Sequence, residues 1–319
     1  MEVVGESRIR ELVGPDDALR AVETAFRALA ESRVIQPPPL GMDLDDVRGE
    51  VHVKGAYLKG EAVFAIKVAS GFYLNPDRGL PTGSGLVLVF DAQTGFPLAL
   101  LQDNGYLTEL RTGGAGALAV RLLTADRPLK VAVLGAGSQA RYQLRAMARV
   151  REFQEVRIWS PHPGEVLEYR EEMSPVLGVP ISSSDTVEGA VRGADLVVTV
   201  TPARAPILES EWVSEGATVV AVGSDGPEKQ ELSPVILARA GKVVVDSRSQ
   251  CLRLGETHHA VSAGVLSPDE IHGELGEVLN GSKPGREGNE LIVCDLTGVG
   301  AQDAAMAGAV WTLLGQGPA

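Results

Sequence analysis

The sequence predicts an α/β protein of two domains: a doubly wound parallel sheet, and a second α+β domain built on antiparallel sheet. Three observations carry that reading. From about residue 129 onward, short Val-rich runs alternate with helical segments long enough for crossovers. The first 120 residues instead hold strands joined by tight turns, with a helix beside them. Only 4% of the 319 residues are aromatic while 37 are Gly, which suits many short junctions better than a helical bundle.

Gly14-Pro15-Asp16-Asp17 is a helix start, because Ala18, Val22, Phe26 and Leu29 then recur at helical spacing. Val51–Lys54, Val63–Val68 and Gly85–Phe90 read as strands, and Asp91-Ala92-Gln93-Thr94-Gly95 as a hairpin turn leading into Pro97–Leu101. Leu107–Leu123 reads as a helix interrupted at Thr112-Gly113-Gly114, small residues that permit close backbone approach. Six strand runs follow: Lys130–Leu134, Val156–Trp159, Leu196–Thr201, Thr218–Val222, Lys242–Asp246 and Leu291–Asp295. Each is nearly continuous in apolar residues, as strands buried on both faces must be. Gln302–Leu314 is a closing helix with Met306, Ala309, Val310 and Leu313 on one packing face. It is expected to return to the first domain, giving a domain of residues 1–118 completed by 301–319, and a second domain of residues 119–300.

With 42 Asp+Glu against 29 Lys+Arg the net charge is -13, so the overall field repels a nucleic-acid backbone or an anionic membrane surface. Neither is an expected partner. No apolar run approaches the ~20 residues that span a bilayer, and the charged N-terminal helix is no signal peptide. Cys251 and Cys294 cannot make a disulfide framework, and Cys294 in Leu291-Ile292-Val293-Cys294 reads as a buried small hydrophobe, which fits a reducing cytoplasm.

Val131–Leu134 runs into Gly135-Ala136-Gly137-Ser138-Gln139-Ala140 and then into the helical stretch Arg141–Val150, a strand followed by G-x-G-x-x-A. Gly135 makes the tight turn, Gly137 lets a pyrophosphate approach bare backbone, and Ala140 lets the helix sit near the strand, with its N-terminus facing the anion. Following a strand, opening a helix and beginning a six-strand series, the loop defines a Rossmann-type dinucleotide site. NAD-binding chains usually place an acid about 20 residues on, at the end of the second strand. Here Ile158-Trp159 is followed by Ser160 and, two residues later, His162. Repulsion of a 2′-phosphate by that residue is absent, yet no arginine at this strand end selects for one, so the strand end leaves the choice open between NAD, the expected cofactor, and NADP.

Lys67 alternates with Phe64, Ile66 and Val68, so it shares the other strand face with Ala65 and Ala69, where it either reaches a ligand or lies on a solvated face. His52 and Lys54 share one face of the preceding strand; a turn at Leu58-Lys59-Gly60-Glu61 would make the two strands antiparallel neighbours lined by three basic groups. Asp225 in Gly223-Ser224-Asp225-Gly226-Pro227 follows a strand end, where ligands of open α/β sheets collect; it is either a proton-transfer group or turn chemistry. The Arg111 fork either grips a carboxylate at two points or pairs with a surface acid such as Glu109. Adjacent His258 and His259 point in different directions on a helix with no further ligand at metal spacing, so no metal is expected. The G-x-S-x-G elbow of α/β-hydrolases is missing.

Several stretches together resemble the ornithine cyclodeaminase and mu-crystallin family of nicotinamide enzymes. They are Ile66-Lys67-Val68, Gly79-Leu80-Pro81-Thr82, Leu107–Thr112, Gly135–Gln139, Gly223-Ser224-Asp225 with Lys229-Gln230-Glu231-Leu232, Gly273-Glu274-Leu275-Gly276 and Gly298–Asp303. They span nearly the whole chain in order. The resemblance implies a homodimer built through the antiparallel domain. It implies that Lys67 contacts the reacting nitrogen or carboxylate of the substrate, that Arg111 anchors the carboxylate, and that Asp225 is the acid/base. Thr82, Thr112, Ser138 and Gln139 match positions near the cofactor, and Ser160 stands where the cofactor's ribose is read.

Departures from the family pattern are informative. Many members carry an arginine shortly after the proline run, and Gln36-Pro37-Pro38-Pro39-Leu40-Gly41 has none. Where an ornithine-type enzyme has a glutamate able to read the distal ammonium, the approximate counterpart is His52, with Lys54 two residues on. That exchange disfavours a cationic side chain and favours a second carboxylate on the substrate. Glu50–Gly55 and Ala69–Tyr73 look like the branch containing ectoine-utilisation proteins and iminosuccinate reductases. The expected activity is hydride exchange at the α-carbon of a small amino or imino acid, with a dicarboxylic substrate held by Arg111, Lys67, His52 and Lys54. Cyclodeaminase chemistry with internal cofactor recycling, and ligand binding without turnover, are the alternatives the family offers.

Overall fold

A computed structural model describes residues 1–316; the last three residues of the expected 301–319 segment lie outside the described residues. The chain divides into two compact units, residues 1–111 with the segment from Val299 onward, and Thr112–Gly298.

The first unit holds strands β1 (Glu2–Gly5), β2 (Val34–Ile35), β3 (Leu40–Leu44), β4 (Gly49–Leu58), β5 (Val63–Phe72), β6 (Gly83–Asp91) and β7 (Pro97–Gln102). They form one sheet in the order β1-β7-β6-β5-β4-β2, with β3 also paired to β4. All pairs are antiparallel except β1 with β7. Gly60, at φ +96°, turns β4 into β5, and Asp91 Oδ1 accepts from the Gln93 and Thr94 amides to turn β6 into β7. Helix Pro15–Ala30 begins where Gly14 and Asp17 mark it, with the Gly14 N–H donating to Asp17 at 2.9 Å, and buries Ala18, Val22 and Phe26.

Helix Gly300–Trp311 packs on Pro15–Ala30, β4 and β5. A side chain at Gly300 would meet the Gly55 carbonyl at 2.8 Å, so only glycine lets this helix end approach β4. Its buried face carries Ala301, Met306, Ala307 and Val310; Leu313, expected on that face, is 47% exposed because the helix gives way at Thr312.

The second unit contains β8 (Leu129–Leu134), β9 (Phe153–Trp159), β10 (Ile181–Ser183), β11 (Leu196–Thr199), β12 (Arg204–Leu208), β13 (Thr218–Ala221), β14 (Gln230–Leu232), β15 (Lys242–Val245), β16 (Gly273–Glu274) and β17 (Ile292–Asp295). Eight make a wholly parallel sheet, β10-β9-β8-β11-β13-β17-β15-β16, while β12 and β14 pair separately. β11, β13 and β17 are buried along their whole length, which is why their sequences are unbroken apolar runs. The six expected strands are all in this sheet; β10 and β16, three and two residues long at the edges, are too short to show a pattern. Strand order reverses between β8 and β11, which sets the switch point at the carboxyl end of β8.

The helix expected to break at Thr112-Gly113-Gly114 runs unbroken over Tyr106–Leu123. Its glycines serve packing: a Cβ on Gly113 would lie 2.7 Å from the Tyr142 carbonyl, and one on Gly116 would overlap Gln143 and Met147. The gain in close approach to helix Ser138–Met147 outweighs the ~1 kcal/mol that glycine costs inside a helix.

Candidate active site

In the first unit, β4 and β5 pair so that Lys54 lies directly opposite Lys67. Both are buried, as is Arg111, one turn into helix Tyr106–Leu123. Like charges directly across a sheet repel, and an acid absent from the sequence-derived set offsets them. Asp303, in the first turn of helix Gly300–Trp311 and 4% exposed, accepts through Oδ1 from Lys67 Nζ at 2.9 Å and Arg111 Nε at 3.0 Å. Its Oδ2 is buried and has no hydrogen-bond partner among the described residues.

Lys67 is held down at about 7, first by burial, then by the charge of Arg111, with Asp303 pulling the other way and Lys54 adding to the fall. Burial pushes the Asp303 carboxyl up, but Lys67 and Arg111 more than offset it and hold it below the usual carboxylate range. His52 lies two residues before Lys54 on the same face, its Nε2 3.9 Å from Glu50, whose carboxylate also accepts from the Tyr73 hydroxyl at 2.8 Å. Three basic side chains thus gather around Asp303, and buried Asp103 also feels the charge of Lys67. Thr82 is in this unit as well, half-buried just before β6, its carbonyl accepting from the Phe72 amide.

In the second unit, Gly135 follows β8 at φ +113°, and a side chain there would meet the Val200 carbonyl at 2.9 Å. Gly137 and Ser138 are exposed at the N-terminus of helix Ser138–Met147, Gly137 faces open space, and no side chain caps this end. Ala140 is fully buried beneath the turn. Bare amides at an uncapped helix start fit a pyrophosphate, so Gly135, Gly137, Ser138 and Gln139 would hold a dinucleotide. Gln139 and Thr112 are linked through Gln143, whose Nε2 donates to the Thr112 carbonyl at 2.9 Å and to Gln139 Oε1 at 3.2 Å. Ser160 is the first residue after β9, beside the loop, because the Gly135 amide donates to the Trp159 carbonyl at 2.8 Å.

Asp225 follows β13, half-buried, and takes Lys229 Nζ at 2.8 Å. The segment around it is pinned by Glu231, also missed in the sequence, which is fully buried. It accepts from Thr199 Oγ1 at 2.7 Å, the Thr201 amide at 2.6 Å and the Gly223 amide at 2.9 Å, tying together the ends of β11 and β13. Burial, against these bonds, lifts it to about 7. His258 and His259 sit on helix Gly255–Ser262, with His259 Nε2 2.8 Å from the Lys229 carbonyl. Among the described residues no group of three or more His, Cys, Asp or Glu is arranged to hold a metal ion, and no helix is long and apolar enough to cross a membrane.

A doubly wound sheet with a bare-backbone glycine loop at its switch point, in a chain that also holds a buried cationic cluster, defines a nicotinamide-dependent oxidoreductase. The chain belongs to the ornithine cyclodeaminase/mu-crystallin family, whose model matches residues 2–316. An uncharacterized cyclodeaminase of Sinorhizobium fredii is 44% identical over 310 residues, 96% of this chain and 94% of its own. Among solved structures, an archaeal alanine dehydrogenase dimer with bound NAD is 35% identical with a TM-score of 0.91, covering 98% of this chain and 95% of its own. The iminosuccinate reductase of Paracoccus denitrificans with NAD+ is 32% identical with a TM-score of 0.89, covering 100% and 98%.

Proposed function

We propose that the protein is an NAD-dependent reductase of a small dicarboxylic imino acid, of iminosuccinate type, running reversibly with the amino acid. The observation that carries this is the buried cluster of Lys54, Lys67 and Arg111 around one Asp303 carboxylate. Basic side chains gathered in a buried site attract an anion, so the cluster suits an anionic substrate. One substrate carboxylate would sit on Arg111 and Lys67 and a second on Lys54 and His52, where a distal ammonium would be repelled. Asp303 Oδ2, buried and unpartnered, suits an N–H of the substrate's α-nitrogen. Similarity to an iminosuccinate reductase over the full chain supports the same reading.

NADH, when bound, would supply the hydride for the α-carbon. The residues of this chain orient the acceptor and move the proton: Arg111 and Lys67 fix the carboxylate, and Asp225 delivers the proton that the imine nitrogen takes as the C=N π bond is reduced. In the reverse direction Asp225 takes it back. For the reduction Asp225 first takes up that proton from solvent, which displaces its ion pair with Lys229, and Thr82, Thr112, Ser138, Gln139 and Ser160 would complete the cofactor's surroundings. The first unit is thus the substrate-holding and dimerising domain, and the second holds the cofactor. A homodimer is supported by the dimeric alanine dehydrogenase and by β3, exposed along its whole length with Leu40 and Met42 open.

The test is NADH oxidation with oxaloacetate and ammonia, whose condensation yields the imine. Turnover with aspartate as product supports the proposal. Conversion of ornithine to proline, with no turnover of the acidic imine, refutes it.

A further inference from the structure

The strand end that should carry an acid for the cofactor's ribose carries Ser160, yet a carboxylate stands there from another element. Ser160 Oγ donates to Glu165 Oε2 at 3.2 Å and accepts from the His162 amide at 3.3 Å. Glu165 lies in the first turn of helix Pro163–Leu177, whose N-terminal dipole favours a negative charge. Its own amide donates to the His162 carbonyl at 3.1 Å, so the turn Ser160–Glu165 is closed on itself and holds the carboxylate over the end of β9. The Gly135 amide to Trp159 carbonyl bond puts that end directly beside the glycine loop.

We propose that Glu165, positioned by Ser160, reads the vicinal hydroxyls of the adenosine ribose and selects NADH against NADPH. This rests on the dinucleotide reading of the Gly135–Gln139 loop. A carboxylate accepts hydrogen bonds from both hydroxyls, whereas a 2′-phosphate brings a charge near −2 against it. The nearby cation that might have offset this is engaged: Arg141 donates to the Gly137 carbonyl at 3.1 Å and pairs with Glu172. Even in solvent-like surroundings, a repulsion of this size amounts to about tenfold in affinity.

The test is titration of the intact protein with NADH and with NADPH, followed by nucleotide fluorescence, for wild type, Glu165→Gln and Ser160→Ala. Wild type is expected to bind NADH at least about tenfold more tightly, Glu165→Gln to narrow that ratio by about tenfold, mainly by binding NADPH better, and Ser160→Ala to narrow it less. An unchanged ratio in Glu165→Gln with both nucleotides still bound overturns the role of Glu165 alone, as does a wild type that binds NADPH as tightly as NADH. Failure of wild type to bind either nucleotide overturns the dinucleotide reading and this inference together.

Discussion

Replacing Asp303 by Asn keeps the shape of the side chain and removes its charge. Asp303 is 4% exposed and its Oδ1 takes both Lys67 and Arg111, at 2.9 and 3.0 Å. Breaking a buried ion pair from one side costs about 3–5 kcal/mol because the other charges stay buried without compensation. The amide oxygen can still accept one of the two donors, so the lower end, about 3 kcal/mol, is expected. Lys67 also loses the Asp303 charge, the larger of the two influences that raise it, so its titration moves below about 7. The assay is urea unfolding of Asp303→Asn, Lys67→Met and the double variant, with the pH profile of kcat/KM beside it. The double variant should recover part of the loss, since it removes one of the two stranded cations and leaves Arg111. A single variant within about 0.5 kcal/mol of wild type and an unshifted pH profile would refute the reasoning.

Other outcomes follow from the same geometry. Asp225→Asn is expected to keep NADH binding in a fluorescence titration while lowering kcat about 10²- to 10⁴-fold. Lys67 must be protonated to hold an anion, so kcat/KM for a dicarboxylic substrate should fall as pH rises through about 7, whereas the kcat profile, set by the liganded site, falls at higher pH. The stability sign is opposite. The folded value lies below the ordinary 10.5, so the unfolded chain binds more protons between about 7 and 10.5, and this group makes stability rise with pH across that window. Gly135→Ala places a side chain at φ +113° and 2.9 Å from the Val200 carbonyl, so it should cost about 1–3 kcal/mol in unfolding experiments and weaken dinucleotide binding.

Much of the second unit was legible because its physics is local. Strands buried on both faces must be apolar throughout, and a phosphate loop needs glycine where backbone is bare, so the six long strands and Gly135–Ala140 show in the letters themselves. The alternation of His52, Lys54 and Lys67 likewise revealed one basic face, and the register puts Lys54 opposite Lys67. What escaped depends on contacts distant in sequence. Asp303 is 236 residues from Lys67 and sits in a helix whose apolar periodicity draws attention away from its one acid. Glu231, which the sequence offers only within a stretch of family resemblance, gains its role once Thr199, Thr201 and Gly223 close around it. Glu165 is hidden because the strand end itself carries no acid, while the carboxylate arrives from the next helix turn. The glycines of Tyr106–Leu123 misled for the same reason: glycine weakens an isolated helix, and only the neighbouring helix explains why they are there.

The central claim is that the buried basic side chains Lys54, Lys67 and Arg111 select a substrate with two carboxylates. Its most direct test is the ratio of kcat/KM for aspartate to that for ornithine, each oxidised with NAD+ by the same preparation. The account predicts a ratio well above one that collapses in Lys54→Met. A ratio below one, with ornithine the better substrate, would contradict it.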